Sequence, residues 1–143
     1  MNSPLPAPVP AVPEGFVPLE RGGPYFQMLG PVYARPAEGR HLVIGLRLED
    51  KHMNAQGIAH GGMLATLADS ALGIAINIAS EGRRHATINL STDFMLPGRI
   101  GDWLEAHVEI DRRGLRLSFA TCHLKVGERS IVRANGIFAA LEG

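Results

Sequence analysis

The chain has 143 residues, with 14 Lys and Arg against 14 Asp and Glu, so its formal net charge is zero. That length predicts one domain with a real core rather than two independent ones. A neutral chain has no global field to draw it to nucleic acid or to an anionic membrane, and the single cysteine, Cys122, forms no intramolecular disulfide, which suits a reducing cytoplasm.

Residues 1–18 hold six of the ten prolines and no basic segment followed by an apolar run. They predict a proline-rich disordered tail rather than a signal peptide, with the folded domain over 19–143. Residues 24–30 suit a single helical turn and 32–35 a first edge strand. Over 40–49, Leu42, Ile44, Leu46 and Leu48 alternate with His41, Val43, Gly45 and Arg47, the period-two pattern of a half-buried strand.

The polar loop 50–60 precedes an apolar run expected to be helical from Gly61 to Ala79 and stopped at Glu81-Gly82. Apolar residues cover most of its circumference, whereas Thr66, Asp69, Ser70, Gly73 and Asn77 form one narrow polar stripe. Those polar residues also argue against a membrane span.

Four strands follow. Over 87–95, Ile88, Leu90, Thr92 and Phe94 share a face before a turn at Pro97-Gly98; over 102–110, Leu104, Ala106, Val108 and Ile110 do so. A turn at Arg113-Gly114 leads into 115–126, and 129–140 directs Val132, Ala134, Gly136 and Phe138 inward. The pattern predicts an α+β fold, in which an antiparallel meander curls around one apolar helix. The helix's polar stripe is left for water or for a second copy, and a two-fold dimer would create two symmetric clefts.

The segment richest in chemistry runs from Asn54 through His60-Gly61-Gly62 to Asp69. Gly61 and Gly62 leave backbone N–H groups accessible at a helix N-terminus, where the partial positive charge favours an oxyanion. At ~1.5 Å per residue Asp69 stands roughly 10–12 Å further along the axis, so a carboxylate and an electrophile-polarising amide would bound one substrate-sized gap. Spacing alone leaves plainer roles open: Asp69 as a solvated carboxylate, Gly-Gly as a packed turn, Asn54 as a loop brace, Thr87 as a β-branched strand residue.

Asn54, Gly57, His60-Gly61-Gly62 and Leu67-Ala68-Asp69, with Thr87 ahead of Met95-Leu96-Pro97, resemble the signature of hotdog-fold acyl-CoA thioesterases of the phenylacetate-degradation type, over roughly residues 24–141. The resemblance implies an antiparallel sheet wrapped around one long helix, homodimers that pair into homotetramers, and hydrolysis of a short, medium or aryl acyl-CoA at the dimer interface. It implies no metal and no cofactor beyond the coenzyme A of the substrate. Asp69 would be the catalytic base or nucleophile, the Gly61 amide would polarise the carbonyl, the Asn54–His60 segment would approach the same carbonyl, and Thr87 would orient the attacking water. His60 is expected to position its loop through a hydrogen bond.

Gly62 and the arginines Arg83, Arg84, Arg112 and Arg113, with Lys125, are candidates for substrate binding, the basic groups through CoA phosphates. Met63, Phe94, Met95 and Phe138 read as ordinary core and Cys122 as structural. Two other classes stay in view. A hydratase or dehydratase on this fold would want a His and a separate carboxylate aimed at C2 and C3 of the acyl chain. A non-catalytic acyl-CoA-binding module would gain nothing from Asp69.

Overall fold

In the computed structural model, residues 11–39 and 41–142 are described. Strands β1 (Val17–Pro18), β2 (Tyr33–Pro36), β3 (Leu42–Arg47), β4 (His85–Phe94), β5 (Trp103–Arg113), β6 (Leu117–Val126) and β7 (Arg129–Ala140) accompany helices α1 (Gly23–Gln27) and α2 (Gly61–Ala79). All pairings are antiparallel, in one sheet of order β1-β2-β3-β5-β6-β7-β4.

Helix α2 spans the residues its apolar run predicts. Beyond it Glu81 and Gly82 take φ of 57° and 90° and turn the chain out of the helix. The helix packs against β4 through β7 and buries Leu64, Leu67, Leu72 and Ile76 against Leu104 and Leu124 of the sheet. Each such side chain contributes about 1.5–3 kcal/mol, which is why a helix long and apolar enough to span a bilayer by composition lies in the sheet's curl. This is the hotdog arrangement.

Three expectations change. The meander is not continuous: β5, β6 and β7 follow one another, but β4 pairs with β7 at the far edge and β5 pairs with β3. Helix α2 lies over β5, β6 and β7 and delivers the chain to that edge. At ~1.5 Å per residue its 19 residues extend about 28 Å, the width of several strands spaced ~4.8 Å apart.

The disordered tail does not reach residue 18. Val17 and Pro18 pair with Ala34 and Tyr33, and Arg47 Nη2 donates to the Ala11 carbonyl at 2.8 Å. The Phe16 ring meets Trp103 edge-on with centroids 5.1 Å apart. Residues 1–10 lie outside the described residues.

That same cluster overturns the half-buried reading of β3, because Phe16 and Trp103 cover its second face. Val43 is buried, and a Cβ on Gly45 would lie 2.4 Å from Trp103 Cζ2. Only glycine lets the indole approach this closely.

Candidate active site

The N-terminus of α2 is built from its own loop. His60 takes the N-cap with extended backbone (φ −66°, ψ 131°), and its Nδ1 accepts from Gly62 N–H at 2.9 Å. His60 therefore holds the turn, as expected. The bond also occupies the Gly62 amide, which leaves Gly62 no donor for a substrate. A Cβ on Gly62 would stand 3.0 Å from two ring atoms of His60, so that position favours glycine for packing. Gly61 N–H donates to no described residue.

Asn54 braces the loop. Its Oδ1 accepts from Gln56 N–H at 2.9 Å and Ile58 N–H at 3.2 Å. Beneath lies a histidine that sequence reasoning passed over. His52 is buried; its Nδ1 accepts from Glu49 N–H at 2.9 Å, so Nε2–H donates to the Leu29 carbonyl at 2.7 Å, and its own carbonyl accepts from His60 N–H at 2.8 Å. In a loop as polar as 50–60 a further His carries no spacing signal.

Asp69 and Thr87 meet. Thr87 Oγ1 donates to Asp69 Oδ1 at 2.7 Å, and Oδ2 accepts from no described residue. Strict alternation along β4 turns Ile88 inward and Thr87 away from the helix. The register shows otherwise: Thr87 lies opposite Phe138, and after a bulge Asn89 lies opposite Ile137 and Leu90 opposite Gly136. The bulge takes Ile88 out of phase and brings Thr87 onto the inner face with Leu90, over α2. Bulges re-aim side chains in this way beside functional sites.

Ile88 is accordingly 56% exposed, and Phe94, expected in the core, is 55% exposed. Met95 is exposed as well, whereas Met63 and Phe138 are buried as predicted. Among the described residues β4 has a strand on one side only, so its apolar residues lack cover from them.

Asp69 and Thr87 open into a cleft of about 650 Å³ that Arg21, Asn77, Arg84 and His85 also line. Of the predicted arginines, only Arg84 reaches it. Arg83 and Arg113 line a neighbouring depression, where Arg83 donates to the Leu115 carbonyl at 3.0 Å and Arg113 binds the Ala79 carbonyl at the end of α2. The Arg113 bond satisfies the C-terminus of α2 and the Arg83 bond braces the turn between β5 and β6, so these two guanidinium groups are partly committed to structure. Arg112 and Lys125 line neither cavity. Arg21 and His85 were missed, since an isolated Arg in a glycine turn and a His opening a strand carry no spacing signal.

Gly61 and Asp69 do not bound one gap. Gly61 lines a separate depression of about 420 Å³ with Asn54, Phe94 and Met95. Eight residues at ~100° each leave the two positions about 80° apart around the helix, so within one chain they face different clefts.

Cys122, on the inner face of β6, is fully buried, and burial pushes its thiol up from 9.0 to about 12. It is inert structure. Among the described residues no cluster of three or more His, Cys, Asp or Glu is suited to a metal ion.

A family model described as the thioesterase superfamily matches residues 56–132. A Pseudomonas aeruginosa protein that bears an esterase name is 45% identical over 128 residues, 89% of this chain and 96% of its own length. Mouse acyl-coenzyme A thioesterase 13 is 30% identical over 83 residues, 58% of this chain and 59% of its own. Among solved structures, the Escherichia coli PaaI protein of the phenylacetic acid degradation operon is 20% identical with a TM-score of 0.74, covering 84% of this chain and 86% of that one. A Bacillus halodurans protein crystallised with CoA is 23% identical with a TM-score of 0.76, covering 87% and 83%.

Proposed function

The chain belongs to the thioesterase superfamily and is a thioester hydrolase; we propose that its substrate is an acyl-CoA and that each site is built by two copies of the chain. The acyl-CoA assignment is supported by the name of the mouse relative and by the CoA bound to the Bacillus halodurans protein. A cytoplasmic setting follows as a proposal from the single buried thiol and from the substrate.

The observation that carries the shared site is the placement of two contacts at opposite ends of β4. Thr87 binds Asp69 near its start. Phe94, at its end, lies 3.5 Å from where a Cβ on Gly61 would stand. The outer edge of β4 pairs with no described strand. An antiparallel two-fold pairing of two such edges would set the Gly61 amide of one copy beside Asp69 of the other, twice over, and would cover Ile88 and Phe94. Pairing of these dimers into tetramers rests on the family resemblance.

The Thr87 hydroxyl gives its one proton to Asp69 and keeps its lone pairs for accepting from a water. That water, shared with Asp69 Oδ2, is aimed to lose a proton to the carboxylate as its oxygen bonds to the thioester carbon. Charge then gathers on the carbonyl oxygen, where the free Gly61 N–H of the other copy donates to it. Collapse of this adduct breaks the C–S bond; the thiolate leaves and takes up the proton Asp69 had accepted, giving CoA and the free acid. A positioned base contributes ~10²–10⁴-fold and an oxyanion donor ~2.7–4 kcal/mol.

The test measures thiol release from a panel of acyl-CoA substrates. Asp69→Asn is expected to lose ~10²–10⁴-fold in kcat. Refolding equal amounts of Asp69→Asn and Gly61→Val chains together should restore about a quarter of wild-type activity, since half the dimers are mixed and each has one intact site in two. Thiol release from none of the panel refutes the function, and no recovery on mixing refutes the shared site.

A further inference from the structure

On the premise that this cleft takes a thioester, its end remote from Asp69 holds two cations that the hydrolysis leaves unused. Asn77 follows Asp69 by eight residues on α2, about 12 Å along the axis. There Arg21 Nη2 donates to Asn77 Oδ1 at 2.7 Å, and Arg84 lines the same wall. Arg21 is held from behind: Gln27 Nε2 donates to its carbonyl at 2.7 Å and to that of Leu19 at 3.0 Å. Asn77 is fixed too, its Nδ2 donating to the Arg83 carbonyl at 3.2 Å.

Neither Arg21 nor Arg84 pairs with a carboxylate among the described residues. Among the described residues the one acid lining the cleft, Asp69, stands two turns away and is bonded to Thr87. A chain of zero net charge thus gathers a local positive pole at one end of a cavity. Between the acid and the arginines the wall includes Gly73, Ile74 and Phe138, with Ser70 next to Asp69 and His85 next to Arg84 as further hydrogen-bonding side chains.

We propose that Arg21 and Arg84 bind an anionic group carried by the substrate about 10–12 Å from the reacting carbonyl, and that the group is the terminal carboxylate of a dicarboxylic acyl chain. Guanidinium forks suit a carboxylate, and the bond to Asn77 orients one of them in advance. At ~1.2 Å of extension per bond the seven bonds of an eight-carbon diacid span about 8 Å, and a guanidinium–carboxylate hydrogen bond of about 2.8 Å covers the rest. The phosphates of CoA are the other source of negative charge, but about fourteen bonds at ~1.2 Å each put the first of them roughly 17 Å from the thioester carbon, beyond the end of this cleft.

The experiment compares octanedioyl and octanoyl thioesters, each carried on CoA and on phosphate-free N-acetylcysteamine, in the wild type and in Arg21→Gln and Arg84→Gln. The wild type is expected to favour the carboxylate-ended chain by about tenfold or more in kcat/KM on both carriers, as one charge-assisted bond implies, and each substitution should collapse that ratio. Asn77→Asp, which supplies Arg21 with a competing carboxylate, should collapse it as well and guards against misfolding of either arginine variant.

If the arginine variants instead weaken both CoA thioesters alike and spare the N-acetylcysteamine ones, the anion is a phosphate and the acyl assignment falls. No effect on either carrier overturns the site. Equilibrium binding of the two CoA thioesters to Asp69→Asn separates the premise from the inference. A carboxylate preference there, with no thiol released by the wild type, would sink the thioesterase proposal and leave the anion site standing.

Discussion

Replacing Thr87 by Val removes one hydroxyl and keeps a β-branched side chain in a strand position where either residue is at home. Thr87 is exposed, so the fold should lose no more than about 0.5 kcal/mol. What goes is the 2.7 Å bond that fixes Asp69 Oδ1. A hydrogen bond to a charged group is worth about 1.5–3 kcal/mol, and ~1.36 kcal/mol is a tenfold change in rate, giving a range of roughly ten- to hundred-and-fifty-fold. Asp69 is only half-buried and water can replace part of the bond, so the lower end, about tenfold in kcat, is expected. The assay is thiol release at saturating acyl-CoA, with urea midpoints on the same preparations and Thr87→Ser as the rescue that restores the hydroxyl. A Thr87→Val kcat within twofold of wild type would show that the carboxylate needs no such positioning. Equal impairment of Val and Ser variants would assign the effect to shape.

Gly61→Ala places a methyl 3.5 Å from the Phe94 ring at a backbone outside the left-handed region; its urea midpoint should match wild type while kcat/KM falls. Gly62→Ala pushes on the His60 ring and should cost about 1 kcal/mol, as lost N-caps do; identical midpoints for the two variants would refute the cap. Phe16→Ala strips one side of the Trp103 pair and should cost about 1.5–3 kcal/mol with kcat unchanged, because the ring lies on the sheet face away from α2; a loss under about 0.5 kcal/mol would free residues 11–18 from the fold. Cys122 should resist alkylation in the native protein at pH 8 and react on unfolding. Because burial raises the folded thiol from 9.0 to about 12, its contribution to stability is full below pH 9 and drains away as pH rises toward 12; ready alkylation of the native chain would refute the burial.

Periodicity and composition were enough for the core of this protein. The extent of α2, the inward faces of β5 and β7, the cap at His60 and the inertness of Cys122 are all legible along the chain, because burial of a 3.6- or two-residue repeat is a local property of the pattern. Along the segment from Asn54 to Asp69, the loop brace at Asn54 and the turn at His60-Gly61-Gly62 were legible through residue types at short spacing.

Other features depend on contacts between distant residues, and no local pattern encodes them. Phe16 looks like one more residue of a proline-rich tail until Trp103, far along the chain, gives it a surface to cover. The alternation of β4 predicts Thr87 on the wrong face, since a bulge is a mismatch between two strands and exists only once β7 is alongside. Arg21 and Asn77 are 56 residues apart and become one device only when the glycine turn before α1 lies across α2. The separation of Gly61 from Asp69 into two clefts is likewise a matter of angle around a packed helix, which spacing measured along its axis does not report.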